Sequence, residues 1–218
     1  MNGLFITLEG PEGSGKTTQI KLLNSYLTEI GYNVVQTREP GGTKVGDRIR
    51  EILLDSQLED IKPKTELLLY SASRAQHVTE VIKPALKEGK VVLCDRFSDA
   101  TLAYQGYGRQ INKDLIKGVN EVATGGLKPD LTFLLDIEPE VGLVRAKNLA
   151  KDSTEVGIGD RIENEDLTFH QQVRAGYLNL AKQEERFEVV DAKQSVDEIF
   201  QYLIGKLEER LRIYEDSK

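Results

Sequence analysis

Apolar residues fall along the chain in two rhythms. Four short runs are apolar at most positions, Leu4 to Leu8, Val91 to Cys94, Leu131 to Leu135 and Phe187 to Val190, and a fifth, Val34 to Thr37, opens on two valines. Largely continuous runs, in place of strict alternation, predict strands covered on both faces. Between them the spacing lengthens to that of a helix: Ile20, Leu23, Leu27 and Ile30 before Gly31, then Ile49, Ile52 and Leu53, then Leu67, Leu68 and Tyr70, and later Leu115, Ile116, Val119 and Val122 before Gly125. Further helices are predicted over 78–88, from Pro139 to about Ala150, from Glu163 to about Lys182, and after Ser195, which forms a capping box with Glu198. Such alternation predicts a three-layer α/β/α fold around a five-stranded parallel sheet, as one domain. Two stretches keep neither rhythm. One, 98–109, is rich in polar, aromatic and glycine residues; the other, 151–160, is polar and glycine-containing and reads as part of a mobile lid at about 145–161.

The first strand runs into Gly10-Pro11-Glu12-Gly13-Ser14-Gly15-Lys16-Thr17, followed by Thr18 at the head of a helix. This is a phosphate-binding loop in its expected strand-to-helix setting. Its glycines let backbone N–H groups turn inward, and the helix adds the positive end of its dipole. Lys16 supplies a charge for the outer phosphates, and Thr17 a hydroxyl for a magnesium ion.

Parallel sheets bind ligands beyond the carboxyl ends of their strands. Arg38-Glu39, Asp95-Arg96 and Asp136 follow strands directly and share that rim with the loop. Arginine forks suit phosphate oxygens, so Arg38, Arg74 and Arg96 point to a second phosphorylated ligand; a solvated strand-end charge or an ion pair with Asp95 is the plain alternative for Arg96. Asp95 and Asp136 each end an apolar strand and are candidate magnesium-side acids. The guanine-reading N-K-x-D element is absent, because Asn112-Lys113-Asp114 sets its acid one position early. That disfavours a GTP switch. Glu12 is the oddity: a carboxylate in a phosphate cradle repels phosphate, so it is expected to point away, toward solvent or toward a neutral hydroxyl on a neighbouring ligand.

Composition narrows the classes further. A net charge of -7 argues against a general nucleic-acid binder, and a single cysteine, Cys94, excludes an internal disulfide. No apolar run reaches membrane-spanning length and no basic leader is evident, so a cytoplasmic protein without membrane or nucleic-acid partners is expected. His77 and His170 are too isolated for a zinc site.

Taken together, Glu9 to Thr18, Thr37-Arg38-Glu39-Pro40-Gly41-Gly42-Thr43, Ser73 to His77, Asp95-Arg96-Phe97, Ala103-Tyr104-Gln105-Gly106 and Asp160-Arg161-Ile162-Glu163 resemble the thymidylate kinase family of P-loop nucleoside monophosphate kinases. The resemblance implies transfer of the γ-phosphoryl of ATP to dTMP, magnesium dependence and a homodimer. Another nucleoside monophosphate kinase, or a nucleotide sensor without a small acceptor, are the competing readings.

The resemblance also implies roles. Residues 10–18 hold ATP. Glu12 contacts the deoxyribose 3'-hydroxyl, Tyr70 stacks on thymine and Arg74 bonds its O4. Thr101 and Gln105 match positions at the pyrimidine edge, and Tyr104 crowds the 2' position. Arg96, with Arg38, Glu39 and Arg50 nearby, belongs to the acceptor side. Thr17 and Asp95 are the metal candidates, and Lys16, Arg96, Arg145 and Arg161 the catalytic cations. The lid differs from the family in its longer insert, Ser153 to Gly159, and in having fewer arginines.

Overall fold

The computed structural model describes residues 3–58, 60–152 and 161–216. Five strands, β1 (Leu4–Glu9), β2 (Val34–Arg38), β3 (Val91–Asp95), β4 (Leu131–Asp136) and β5 (Phe187–Asp191), form one parallel sheet in the order β2-β3-β1-β4-β5. Each predicted strand is present. The order reverses beside β1: the chain moves out through β2 and β3 on one side, then crosses to β4 and β5 on the other. The switch point therefore lies between β1 and β3, which pair with Leu8 opposite Asp95, and a crevice opens there at the carboxyl rim.

Helices α1 (Lys16–Glu29) and α9 (Val196–Asp216) lie on one face of the sheet, where Leu23, Leu27, Leu203 and Leu207 pack with Ile6, Leu8, Leu93 and Phe133. Phe5, Val92 and Cys94 face the other way, against Val78, Ile82 and Leu86. The capping box is formed, with the Ser195 backbone N–H and hydroxyl donating to Glu198 Oε2 at 2.9 and 2.7 Å and the Glu198 N–H returning to Ser195 Oγ at 3.3 Å.

Remaining elements run in sequence: α2 (Lys44–Leu54), α3 (Pro63–His77), α4 (Lys83–Lys87), α5 (Ser98–Thr101), α6 (Lys113–Thr124), α7 (Pro139–Asp152) and α8 (Leu167–Ala181). The helix expected around Leu67 to Tyr70 and the one expected over 78–88 are one rod. His77 and Val78 keep helical dihedrals, and a widened π turn, Val78–Ile82, joins α3 to α4. The unpatterned stretch after residue 98 is helical too: α5 passes into a π-helical run, Leu102–Gly108. Loosely wound turns of this kind recur at functional sites. Of the expected lid, 153–160 lie outside the described residues.

Candidate active site

The phosphate loop has the strained backbone its glycines permit. Gly13 (φ 67°) lies so close to Gly142 O that a Cβ would stand 2.0 Å from it, and Gly10 (φ 142°) would bring one to 2.3 Å from Leu135 O. Lys16 folds back over the loop and donates to Gly10 O at 3.0 Å and Pro11 O at 2.9 Å. Burial, then the neighbouring Arg96 charge, lower its ammonium to about 8 against the opposing pull of Glu12 and Asp95. Thr17 Oγ1 donates to Asp95 Oδ2 at 3.3 Å, so the two metal candidates from separate elements meet beside the loop.

Among the described residues, no cluster of three or more histidine, cysteine or acidic side chains could cage an ion. The Thr17–Asp95 pair fits magnesium all the same, because that ion takes one or two protein oxygens and completes its shell with phosphate and water. Asp136 offers nothing to a metal here: Arg174 from α8 grips it with two bonds of 2.7 and 2.8 Å.

Arg96, with φ 69°, turns its guanidinium back over β1. Nη1 donates to Gly10 O at 3.0 Å and to the Tyr177 hydroxyl at 3.1 Å, while Nη2 donates to Glu12 Oε1 at 2.7 Å. Its Cζ also lies 4.9 Å from the Tyr104 ring centre. Glu12 therefore does not avoid the cradle by turning to solvent. It is paired with Arg96 and accepts the Tyr104 hydroxyl at 2.8 Å. Burial pushes its carboxyl up, but Arg96, Lys16 and Tyr104 together bring it down to about 2, so it is charged at neutral pH.

A cavity of about 750 Å³ extends from this loop along the switch point. Its far wall carries Tyr70, Arg74, Thr101, Tyr104 and Gln105, and Arg38, Glu39 and Arg50 lie on its side. The α3 spacing of four residues sets Tyr70 and Arg74 on one face, as expected. Arg74 is buried and spends Nε on Glu39 Oε2 at 2.7 Å, Nη1 on Asn120 Oδ1 at 2.9 Å and Nη2 on Phe97 O at 3.1 Å. Three of its five N–H groups are thus fixed. Thr101 Oγ1 is buried without a hydrogen-bond partner, on a cavity-lining residue. Such an orphan calls for a ligand group.

Other expected residues serve differently. Glu39 gives its second oxygen to His77 Nδ1 at 3.0 Å, so it orients Arg74 from behind. Arg38 is half-exposed and pairs with Asp47 at 3.3 Å, and Arg50 donates to Pro40 O at 3.1 Å. Arg145 and Arg161, expected to reach ATP, do not line the cavity in this conformation. Arg145 donates to Ala192 O at 2.7 Å, beyond β5. Arg161 is buried, donating to Leu53 O at 3.2 Å and to Glu66 Oε2 at 2.6 Å. Both histidines are buried, and burial also raises the Cys94 thiol well above its usual range, leaving it inert.

Sequence reasoning missed three supporting groups. Glu9, at the end of β1, accepts Phe97 N–H at 2.7 Å and the Tyr177 hydroxyl at 2.8 Å, which links it through Tyr177 to Arg96. Glu66 gathers Gln105, Arg109 and Arg161. Asn120 fastens Arg74 to α6 and donates to Ser98 O at 3.2 Å. Glu66 had a local signal, standing one helical turn before Tyr70; Glu9 and Asn120 are tied to the site through residues 22 to 168 positions away.

A phosphate loop at a parallel-sheet switch point, sharing one cavity with a buried arginine fork and a polar-aromatic wall, fits a P-loop kinase of small phosphorylated acceptors. Comparison with known proteins narrows the class. The thymidylate kinase family model matches residues 8–203. A thymidylate kinase of an Exiguobacterium species is 51% identical over 214 residues, covering 96% of this chain and 98% of that one, and the Geotalea daltonii enzyme is 56% identical over 197 residues, 90% and 92% of the two chains. The crystal structure of the Ehrlichia chaffeensis thymidylate kinase superposes with a TM-score of 0.75 at 36% identity, over 95% of this chain and 99% of that one. The chain belongs to the thymidylate kinase family.

Proposed function

We infer that the chain transfers the γ-phosphoryl group of ATP to dTMP, giving ADP and dTDP for dTTP synthesis. The observation that carries this reading is the single cavity that joins Lys16 and the loop to Arg74 and the unpartnered Thr101 hydroxyl. The loop amides and Lys16 grip the ATP phosphates. Arg96 and Glu12 sit where the two substrates meet. The nucleotide 5'-phosphate displaces Glu12 from part of the Arg96 fork, and the carboxylate is then free to accept the sugar 3'-hydroxyl. Tyr70 covers the thymine ring, Arg74 turns its remaining N–H groups to O4, and Thr101 and Gln105 meet the pyrimidine edge. Tyr104 crowds the 2' position and disfavours ribonucleotides.

An oxygen of the dTMP phosphate attacks the γ-phosphorus in line as the bond to ADP breaks. The protein contributes alignment, charge and exclusion of water, with no covalent enzyme intermediate. A magnesium ion held by Thr17 and Asp95 would screen the donor phosphates when bound. The reading includes a lid at about 145–161 bringing Arg145 and Arg161 to the donor, a cytoplasmic location and a homodimer.

Coupled turnover with a panel of nucleoside monophosphates tests it. Turnover should favour dTMP strongly over dCMP and purine nucleotides. Equal rates with UMP and dTMP would refute the specificity, and ATP hydrolysis indifferent to every monophosphate would favour a sensor.

A further inference from the structure

Glu66 is a fully buried carboxylate on α3, one turn before Tyr70 and two before Arg74. Four N–H groups converge on it. Gln105 Nε2 and Arg109 Nε reach Oε1 at 2.8 and 3.2 Å, and Arg109 Nη2 and Arg161 Nη2 reach Oε2 at 3.1 and 2.6 Å. Burial alone would raise its carboxyl, but these partners hold it below the usual carboxylate range. Arg109 is itself anchored by Glu165 at 2.6 Å and by the Phe169 ring.

An ionised carboxylate only accepts hydrogen bonds, so it dictates which end of the neighbouring amide it meets. Gln105 must turn its NH2 group to Glu66. Its Oε1 receives no hydrogen bond among the described residues, and Gln105 lines the cavity wall beside the unpartnered Thr101 hydroxyl. A free glutamine amide can present either a donor or an acceptor to a ligand. This one is confined to an acceptor.

We propose that Glu66 is a positioning residue that sets pyrimidine selectivity by locking the Gln105 carboxamide with its oxygen toward the nucleotide. Thymine and uracil carry an N–H at position 3 and satisfy that oxygen; cytosine carries a lone pair there and opposes it. The inference rests on the reading that the pyrimidine edge lies against Thr101 and Gln105. Glu66 adds a third layer to the wall, behind residues that touch the base.

Steady-state kinetics with dTMP and dCMP on Glu66→Gln and Gln105→Leu test the inference. Replacing Glu66 by an amide lets Gln105 turn either way, so the kcat/KM ratio of dTMP to dCMP should fall about tenfold. Gln105→Leu should lower the ratio as well. A drop in Gln105→Leu but not in Glu66→Gln overturns the role of Glu66 and leaves the pyrimidine placement standing. An unchanged ratio in Gln105→Leu removes Gln105 from the base and both statements fall. Should Glu66→Gln not fold, NMR of the unsubstituted protein decides. The Gln105 carboxamide protons, identified by their loss in Gln105→Leu, should keep their Overhauser contacts to the Glu66 side chain when dTMP is added; loss of those contacts in favour of the nucleotide overturns the proposal.

Discussion

At the scale of single residues, the site is a set of opposed charges held in low dielectric. Arg96 is tied to Gly10, Glu12 and Tyr177, so removing it strips the junction of its cation and leaves the Glu12 carboxylate short of its main partner. Arg96→Ala should lower kcat by about a thousandfold, while ATP binding, measured by calorimetry, is largely kept through Lys16 and the loop. Near-normal turnover would take Arg96 out of the mechanism. Glu9 makes a different prediction. Burial, and the nearby charge of Asp99, push its carboxyl up to about 8 from an ordinary 4.5, against Arg96 and the Tyr177 hydroxyl. Its folded-state value lies above its unfolded one, so the folded state binds more protons between the two. Its contribution to stability is complete below about pH 4.5 and declines as pH rises through 8. Glu9→Gln keeps the shape and removes the titration. Denaturant unfolding from pH 5 to 9 should therefore show the unsubstituted protein losing stability relative to Glu9→Gln as pH rises; a constant difference would mean that Glu9 is ionised throughout.

At the scale of elements, legibility followed locality. The inner strands were readable because a parallel sheet needs apolar residues on both faces, and Leu4 to Leu8 or Leu131 to Leu135 have little other use, while the edge strands β2 and β5 were marked by shorter apolar pairs, Val34-Val35 and Val189-Val190. Helices with end signals were readable too: Ser195 and Glu198 for α9, Gly31 after α1, Gly125 after α6. The π-helical run that carries Tyr104 and Gln105 was not, since widened turns have no period of their own and Gly106 and Gly108 among polar residues read as a loop. The start of α8 was also misplaced, at Glu163. Asp166 caps the helix by accepting Phe169 N–H at 2.7 Å, and the acidic and amide residues just before it, Glu163-Asn164-Glu165, hide that start. Within the site, motif residues were legible by spacing, but the destinations of Arg161 and Glu39 were not, because their partners Glu66 and His77 come from other elements. Capping gives this scale its prediction. Asn112 Oδ1 accepts the N–H groups of Asp114 and Leu115 at 2.8 and 3.1 Å on the exposed start of α6. Asn112→Ala should cost about 1 kcal/mol in denaturant unfolding without lowering kcat; no loss would show that solvent caps α6 equally well.

For the molecule as a whole, helices α3 and α6 connect the proposed acceptor pocket to the outer surface. Their inward sides carry Glu66, Arg74 and Asn120, and the Arg74–Asn120 bond joins the two helices behind the pyrimidine wall. Outward, Leu68 is 59% exposed on α3, and on α6 Leu115 is 47% and Val122 86% exposed. Apolar side chains gathered on two packed helices suit burial against a second copy of the same surface, because a twofold contact matches each helix pair to itself. A dimer formed there would brace the rod that holds Tyr70 and Arg74. Sedimentation velocity should then show a dimer for the unsubstituted chain and a monomer for Leu68→Glu combined with Val122→Glu, where each contact would bury unpaired carboxylates. In the monomer the KM for dTMP should rise more than the KM for ATP, since α3 and α6 back the acceptor pocket while the phosphate loop rests on β1 and α1. An unsubstituted chain that sediments as a monomer would refute the dimer, and a monomeric variant with both KM values unchanged would show that the two helices hold the pocket without help from a partner.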